Sequence, residues 1–300
     1  MDIIEKILGS KGDTAILAHS YQTPDILSVA DLRGDSYALA KAAAKLENKR
    51  VVVCGVRFMA EVVKILSPEK EVVLANPGAG CPMADNVDFE KLQRVRNEFK
   101  NIPIVSYINT TIETKSISDV CVTSSSAVKI IKAMPQKEII FLPDRNLGSW
   151  IQKRVPEKKL ILWDGCCPVH NKVLVSEAKR AKRKYKDAFL AVHPECNSDV
   201  TAIADVVGAT SVILDLIMNL DVPVIIGTEV GVYDYIKENY PEKEVYQLAP
   251  DKLVCEDMKI TTADDVYNAL IGEGGEVIEI DEEMRLKAKK SLDAMLKYGG

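Results

Sequence analysis

"TAILAHSYQ" (residues 14–22) is a short apolar run that closes on His19 and Tyr21. Its reading decides the fold, because the chain writes the same phrase twice more. "PIVSYINTT" (103–111) and "AFLAVHPEC" (188–196) are also apolar runs ending in polar, hydrogen-bonding side chains. Aligned, they set His19 opposite Tyr107 and His193, and Tyr21 opposite Asn109 and Glu195, at intervals of 88 and 86 residues. Self-similarity at a fixed period is the signature of a repeated structural unit.

The register continues outward from these phrases. "VADLRGDSYALAKAA", "ISDVCVTSSSAVKII" and "AIADVVGATSVILDL" align Asp31 with Asp119 and Asp205, and Ser36 with Ser124 and Thr210, at the same two intervals. Second strands follow at 50–56, 138–144 and 222–228, and third strands at 71–77, 159–165 and 244–250. After each third strand stands a cysteine: Cys81, Cys167 and Cys255, spaced by 86 and 88 residues. Each unit therefore reads strand–helix–strand–helix–strand, with helical periodicity in "DSYALAKAAAKLE", "AEVVKILSP" and "SSAVKIIKAM". Nearly all-apolar strands alternating with helices predict parallel sheets covered on both faces.

The expected fold class is α/β, with three small αβα sandwiches related by a pseudo-threefold axis. The expected boundaries are 1–87, 88–173 and 174–261, with a mainly helical tail over 262–300. Ligands in open α/β sheets bind outside the carboxyl ends of the strands, where every residue singled out above falls. One central site then gathers His19, Tyr21, Tyr107, Asn109, His193 and Glu195 with the three cysteines.

Composition narrows the class of function. The chain of 300 residues is 47% hydrophobic and 28% charged with a net charge of −5, as in a globular protein with a full core. Scattered lysines and arginines speak against a nucleic-acid or membrane surface. The N-terminal "MDIIEKILGSKGD" has no basic-then-apolar design, and no apolar run approaches the ~20 residues of a membrane span. A cytoplasmic location is expected, where disulfides are rare and seven cysteines need another use.

Cys54, inside a strand, reads as a buried hydrophobe, and Cys121 and Cys196 read as structural. Cys81, Cys167 and Cys255 share one register in loops and read as metal ligands. Cys166 adjoins Cys167, but Cys81 and Cys167 alone share the Cys-Pro pair. Three converging thiolates suit zinc, with His170 within reach as a fourth ligand, or an iron–sulfur cluster with one iron left open. Ser36, Ser124 and Thr210 sit at helix starts, where such residues commonly cap free amides. Three in register around one centre suit the anionic groups of a substrate instead.

At these residues the chain resembles the quinolinate synthase family. "AHSYQ", "ADLRGDS", "FMAE", "GCPMA", "SYINTT", "VTSSSAV", "PDRNLG", "CPVH", "HPEC" and "GTEVG" follow that family's motifs in order over nearly the whole chain. The resemblance implies a triangular three-domain enzyme with a three-cysteine [4Fe–4S] cluster. It implies condensation of iminoaspartate with dihydroxyacetone phosphate to quinolinate in NAD biosynthesis, with an iminoaspartate-producing enzyme upstream. By the same resemblance Cys81, Cys167 and Cys255 hold the cluster. His19, Ser36, Tyr107, Asn109, Ser124, His193, Glu195 and Thr210 bind substrate, and Tyr21 is central to catalysis. Glu195, Tyr21 and Tyr107 are the candidate proton shuttles, as a carboxylate and phenols that a closed site can retune.

Three positions depart from the family pattern: Ser20 where Asn is common, Arg57 where Asp is frequent, and Cys166 as an additional thiol. Two rival functions remain at this level, an iron–sulfur hydro-lyase on another polycarboxylate and a metal-binding sensor without enzymatic activity.

Overall fold

The computed structural model describes residues 2–299 and contains three small sheets that share one strand order. The first holds β1 (Thr14–His19), β2 (Leu32–Gly34), β3 (Arg50–Cys54) and β4 (Glu71–Leu74) in the order β2-β1-β3-β4. The second uses β5 (Ile104–Tyr107), β6 (Val120–Val122), β7 (Glu138–Leu142) and β8 (Lys159–Leu162) in the order β6-β5-β7-β8. The third uses β9 (Phe189–Val192), β10 (Val206–Val207), β11 (Val224–Gly227) and β12 (Val245–Gln247) in the order β10-β9-β11-β12. Within each set the pairings are parallel. The α/β class with three parallel-dominated sheets is as the strand and helix pattern predicts.

One detail differs. The sequence reading has three strands per sheet, and the structure has a fourth, β2, β6 or β10, on the edge beside the first strand. These edge strands are two or three residues long, in "LRG", "VCV" and "VV". That is too short for an alternation of two to register against the helix that follows.

The in-register aspartates turn out to be scaffold. Asp31, Asp119 and Asp205 accept hydrogen bonds from the amides of Ile16, Ile104 and Leu190 at 2.8, 2.7 and 2.8 Å, clasping the first strand of each sheet to its edge strand. Each also pairs with a base at the C-terminal end of the helix that leads into the first strand of its sheet: Lys11, Arg96 and Lys182.

Both faces of the inner strands are buried, apart from residues at some strand starts. All six residues of β1 are buried; Ile16 and Ala18 pack under helices Ile3–Ser10 and Ala263–Ile271, and Leu17 packs in a core shared with the second sheet. Residues past 262 are woven into this core. β13 (Glu276–Val277) adds antiparallel to β4, and helix Glu282–Gly299 packs on helix Ile112–Ile117 and β6. Arg57 finds a partner there, donating to Glu276 at 2.9 Å. Among the described residues no helix is long and apolar enough to cross a membrane.

Candidate active site

β1 and β5 end on His19 and Tyr107, and β9 stops one residue short of His193; all three residues open into one cavity of about 110 Å³. Tyr21, Asn109 and Glu195, two residues further on in each case, line the same cavity. So do Ser36, Ser124 and Thr210, and Cys81, Cys167 and Cys255. The structure thus brings together every residue singled out at the strand ends and in the cysteine loops.

The backbone explains how the strand ends present their side chains. The amide of Tyr21 donates to Nδ1 of His19 at 3.1 Å, and the amide of Glu195 donates to Nδ1 of His193 at 3.4 Å. Burial lowers both imidazoles from 6.5 to about 4, so both are neutral at pH 7. With Nδ1 accepting, each ring carries its proton on Nε2 and has that N–H to donate.

Glu195 is buried, which by itself raises its pKa. His193 and hydrogen bonds from His170 and Tyr107 outweigh burial and hold it below the usual carboxylate range. His170 Nδ1 lies 2.9 Å from Glu195 Oε2 and 3.3 Å from Cys167 Sγ. Burial and the Glu195 charge together hold the Tyr107 phenol well above its ordinary value, with Ser124 as a further partner. Burial likewise raises Tyr21, whose hydroxyl sits 2.9 Å from Thr210 Oγ1 and 3.1 Å from Thr228 Oγ1. The site holds an ionised carboxylate among phenols that keep their protons.

None of the three helix-start hydroxyls caps its helix. Asp35 caps Ser36–Ala43, accepting from the amides of Tyr37 and Ala38. Ser126 and Ala209 precede Ala127–Ala133 and Thr210–Asn219. Of the two readings open to Ser36, Ser124 and Thr210, capping falls away, and all three residues line the cavity.

The cysteine loops are pinned in a common manner. The amides of Arg57, Arg145 and Val230 donate to the carbonyls of Ala79, Gly165 and Leu253 at 2.8, 2.8 and 2.7 Å. Each of those carbonyls stands two residues before a cysteine, and for the second loop that cysteine is Cys167, not Cys166. Cys166 instead lines a separate hollow with Arg145, Trp163 and Asp164. A carboxylate also grips the amide of each cysteine: Asp85 on Cys81 at 2.8 Å, Asp144 on Cys167 at 2.7 Å and Glu229 on Cys255 at 3.3 Å.

Burial pushes the thiols up, to about 12 at Cys81, about 11 at Cys255 and well above the ordinary value at Cys167. Without a counter-cation they stay protonated, so a bound metal centre must displace protons to be held. Three such thiols on one cavity suit a thiolate-bound centre; Cys54, Cys121 and Cys196 lie buried in the core. Cys167, His170 and Glu195 also offer donors within 4.8 Å of one another.

Sequence reasoning overlooked His170 as a partner of Glu195, and missed Thr228, Asp144 and Glu229 altogether. The last two had a signal, since Asp144 and Glu229 are the first acids after β7 and β11, equivalent strands of their sheets, while the first sheet takes its carboxylate from Asp85.

Comparison with known proteins follows the same span. The family model described as quinolinate synthetase A protein matches residues 3–297. The chain belongs to that family. The quinolinate synthase of Clostridium perfringens (strain SM101 / Type A) is 48% identical over 303 aligned residues, which cover 100% of both chains. That of Alkaliphilus metalliredigens is 44% identical, covering 97% of this chain and 96% of its own. That of Thermodesulfovibrio yellowstonii is 43% identical, covering 98% and 97%. As a member of the quinolinate synthetase A family the chain is an enzyme, and the cavity above is its candidate active site.

Proposed function

We propose that this chain condenses iminoaspartate with dihydroxyacetone phosphate to form quinolinate, releasing phosphate and two waters. The reaction would serve de novo NAD biosynthesis in the cytoplasm, with iminoaspartate supplied by an enzyme that oxidises aspartate. One observation carries the reading: three cysteines and a set of proton-transfer groups meet in one cavity of about 110 Å³. The site would be held by Cys81, Cys167 and Cys255 around a [4Fe–4S] cluster. Such a cluster, with one iron left open by its three ligands, supplies a Lewis acid for a substrate carboxylate, nitrogen or hydroxyl.

The side chains divide the remaining work by their charge state. The Nε2–H groups of His19 and His193 donate to carboxylate or phosphate oxygens without adding a buried charge. The hydroxyls of Ser36, Ser124 and Thr210 and the amide of Asn109 add donors for the remaining anionic oxygens, each worth roughly 1.5–3 kcal/mol against a charge. Glu195 is ionised and takes a proton from a carbon beside a carbonyl or imine. Tyr107 donates to Glu195 and steadies its charge between transfers. Tyr21 keeps its proton and faces the hydroxyl or carbonyl oxygen that develops charge as water leaves.

The test is reconstitution with iron and sulfide under anaerobic conditions, metal and sulfide analysis, and chromatography of the product formed from both substrates. Quinolinate that requires both substrates and the cluster is expected. No quinolinate from a preparation with full iron overturns the reaction, and full activity with zinc alone overturns the cluster.

A further inference from the structure

Lys115, on helix Ile112–Ile117, is fully buried, a rare place for a lysine. Its Nζ donates to the carbonyl of Thr110 and lies 3.5 Å from Thr110 Oγ1. The same Nζ stands 5.5 Å from the ring centre of Phe58, which lines the cavity. Burial lowers the Lys115 pKa from the ordinary lysine value, with Cys121 and then Glu61 opposing. Keeping an ammonium in the core costs free energy, so the turn it grips is the place to look for its use.

That turn carries Asn109 into the cavity. The Thr110 amide donates back to the Ile108 carbonyl at 2.9 Å, and Thr110 Oγ1 donates to the Tyr107 carbonyl at 2.9 Å. An ammonium can only donate, so the hydroxyl accepts from Lys115 and its own proton is left for Tyr107. The next residues are braced from the first sheet's side: Glu61, in the "FMAE" stretch of helix Arg57–Leu66, accepts from the Ile112 amide at 3.1 Å. Tyr107 and Ile108 are tied to the second sheet, Tyr107 opposite Val122 and the Ile108 amide donating to the Val122 carbonyl at 2.8 Å. Asn109 lies beyond that tie, and the Lys115 grip on Thr110 closes the far side of its turn.

We infer that Lys115 is a positioning residue for substrate binding: by gripping Thr110 from behind the cavity wall, it fixes where Asn109 presents its amide. This rests on the quinolinate-forming reading, in which Asn109 binds substrate, and extends it to a residue outside the cavity. The second sheet holds Tyr107 without help from Lys115, so losing the grip weakens affinity and spares the proton transfers. A hydrogen bond to a charged oxygen is worth roughly 10- to 100-fold in affinity, and a misaimed Asn109 forfeits about the lower figure.

The experiment compares Lys115→Met, which keeps an unbranched side chain and removes its donors, with Lys70→Met, both in anaerobically reconstituted enzyme. Lys70 is the control because it too is buried and donates to two carbonyls, of Leu46 at 2.7 Å and Asn48 at 2.6 Å, yet does not line the cavity. Should Lys115→Met not fold, the double variant with Glu61→Gln replaces it, since that also removes the carboxylate left without its cation. The readouts are quinolinate affinity, KM and kcat, and amide hydrogen exchange over residues 107–112 without substrate. In Lys115→Met quinolinate should bind about 10-fold more weakly, KM for at least one substrate should rise about as much with kcat within about 3-fold, and the turn should exchange about 10-fold faster. Lys70→Met should match wild type in all of these. Unchanged affinity, a fall in kcat at unchanged KM, unmoved exchange, or the same shifts in Lys70→Met each overturns the inference. A wild-type enzyme that neither binds nor makes quinolinate refutes the proposed reaction instead, and the exchange rates still decide whether Lys115 holds the turn.

Discussion

Asp144 should control how tightly the Cys167 loop is held, and the structure sets the size of the effect. Its fully buried carboxylate accepts from the amides of Leu147 and Cys167, both at 2.7 Å. Replacing it with alanine strands two N–H donors in a site with little water, at roughly 1–3 kcal/mol each. The loop should therefore lose about 2–6 kcal/mol of local stability. At 1.4 kcal/mol per factor of ten, even the lower bound favours loop opening by about 30-fold.

The assay is iron release to a chelator from the reconstituted protein, with Asp119→Ala as the control. Asp119 makes a comparable bond, 2.7 Å to the Ile104 amide, but at the start of β5, away from the cavity. Asp144→Ala should release iron at least about 10-fold faster than Asp119→Ala, though both variants melt at lower temperature. Equal release from the two variants would refute the argument that this carboxylate acts on the cysteine loop in particular.

Three further outcomes follow from the same geometry. Alanine at Cys81, Cys167 or Cys255 should abolish iron binding, whereas Cys166→Ala should retain it; iron and sulfide analysis of the four proteins decides between the adjacent thiols. Glu195→Gln and Tyr21→Phe should keep their metal content and lose on the order of 10²–10⁴-fold in turnover, measured as quinolinate formed, and near-normal rates in both would move the proton transfers elsewhere. His19 and His193 are held near 4 when folded and titrate near 6.5 when unfolded, so the unfolded chain binds protons first as pH falls. Stability from each should be complete above about pH 6.5 and lost progressively down to about pH 4. Melting curves across that window should flatten in His19→Asn and His193→Asn, and an unchanged slope would contradict buried neutral rings.

Much of this was legible because polar residues at the ends of apolar runs are conspicuous. His19, Tyr107 and His193 stand out against "TAILA", "PIVS" and "AFLAV", and their spacing alone predicts that they meet. What was not legible lies one layer behind. Thr228 follows β11 as an ordinary hydroxyl, and its partners Tyr21 and His170 are 207 and 58 residues away in sequence. No local pattern encodes such a contact. The edge strands were hidden for the opposite reason, being so short that helix-start signals overwrote them. The serine and threonine positions left two readings open in the sequence, because a hydroxyl at a helix start has a ready local use. At Ser36 the neighbouring Asp35 takes that use instead.

The arrangement also explains why three similar sheets can build a site that is not symmetric. Where the duty is the same in all three, the residue is the same: a cysteine whose loop is tied by one backbone bond and one carboxylate. Where the duty differs, the residue differs at the same position. Tyr21, Asn109 and Glu195 are a phenol, an amide and a carboxylate on equivalent turns after β1, β5 and β9. Three copies of one side chain there would bring like groups together, and three carboxylates could not all ionise in so small a space. Substituting one of the three by a phenol that keeps its proton lets the remaining carboxylate stay charged, with Tyr107 and His170 donating to it. Equivalent backbone positions fix the geometry, and unlike side chains on them set the proton donors apart from the acceptor.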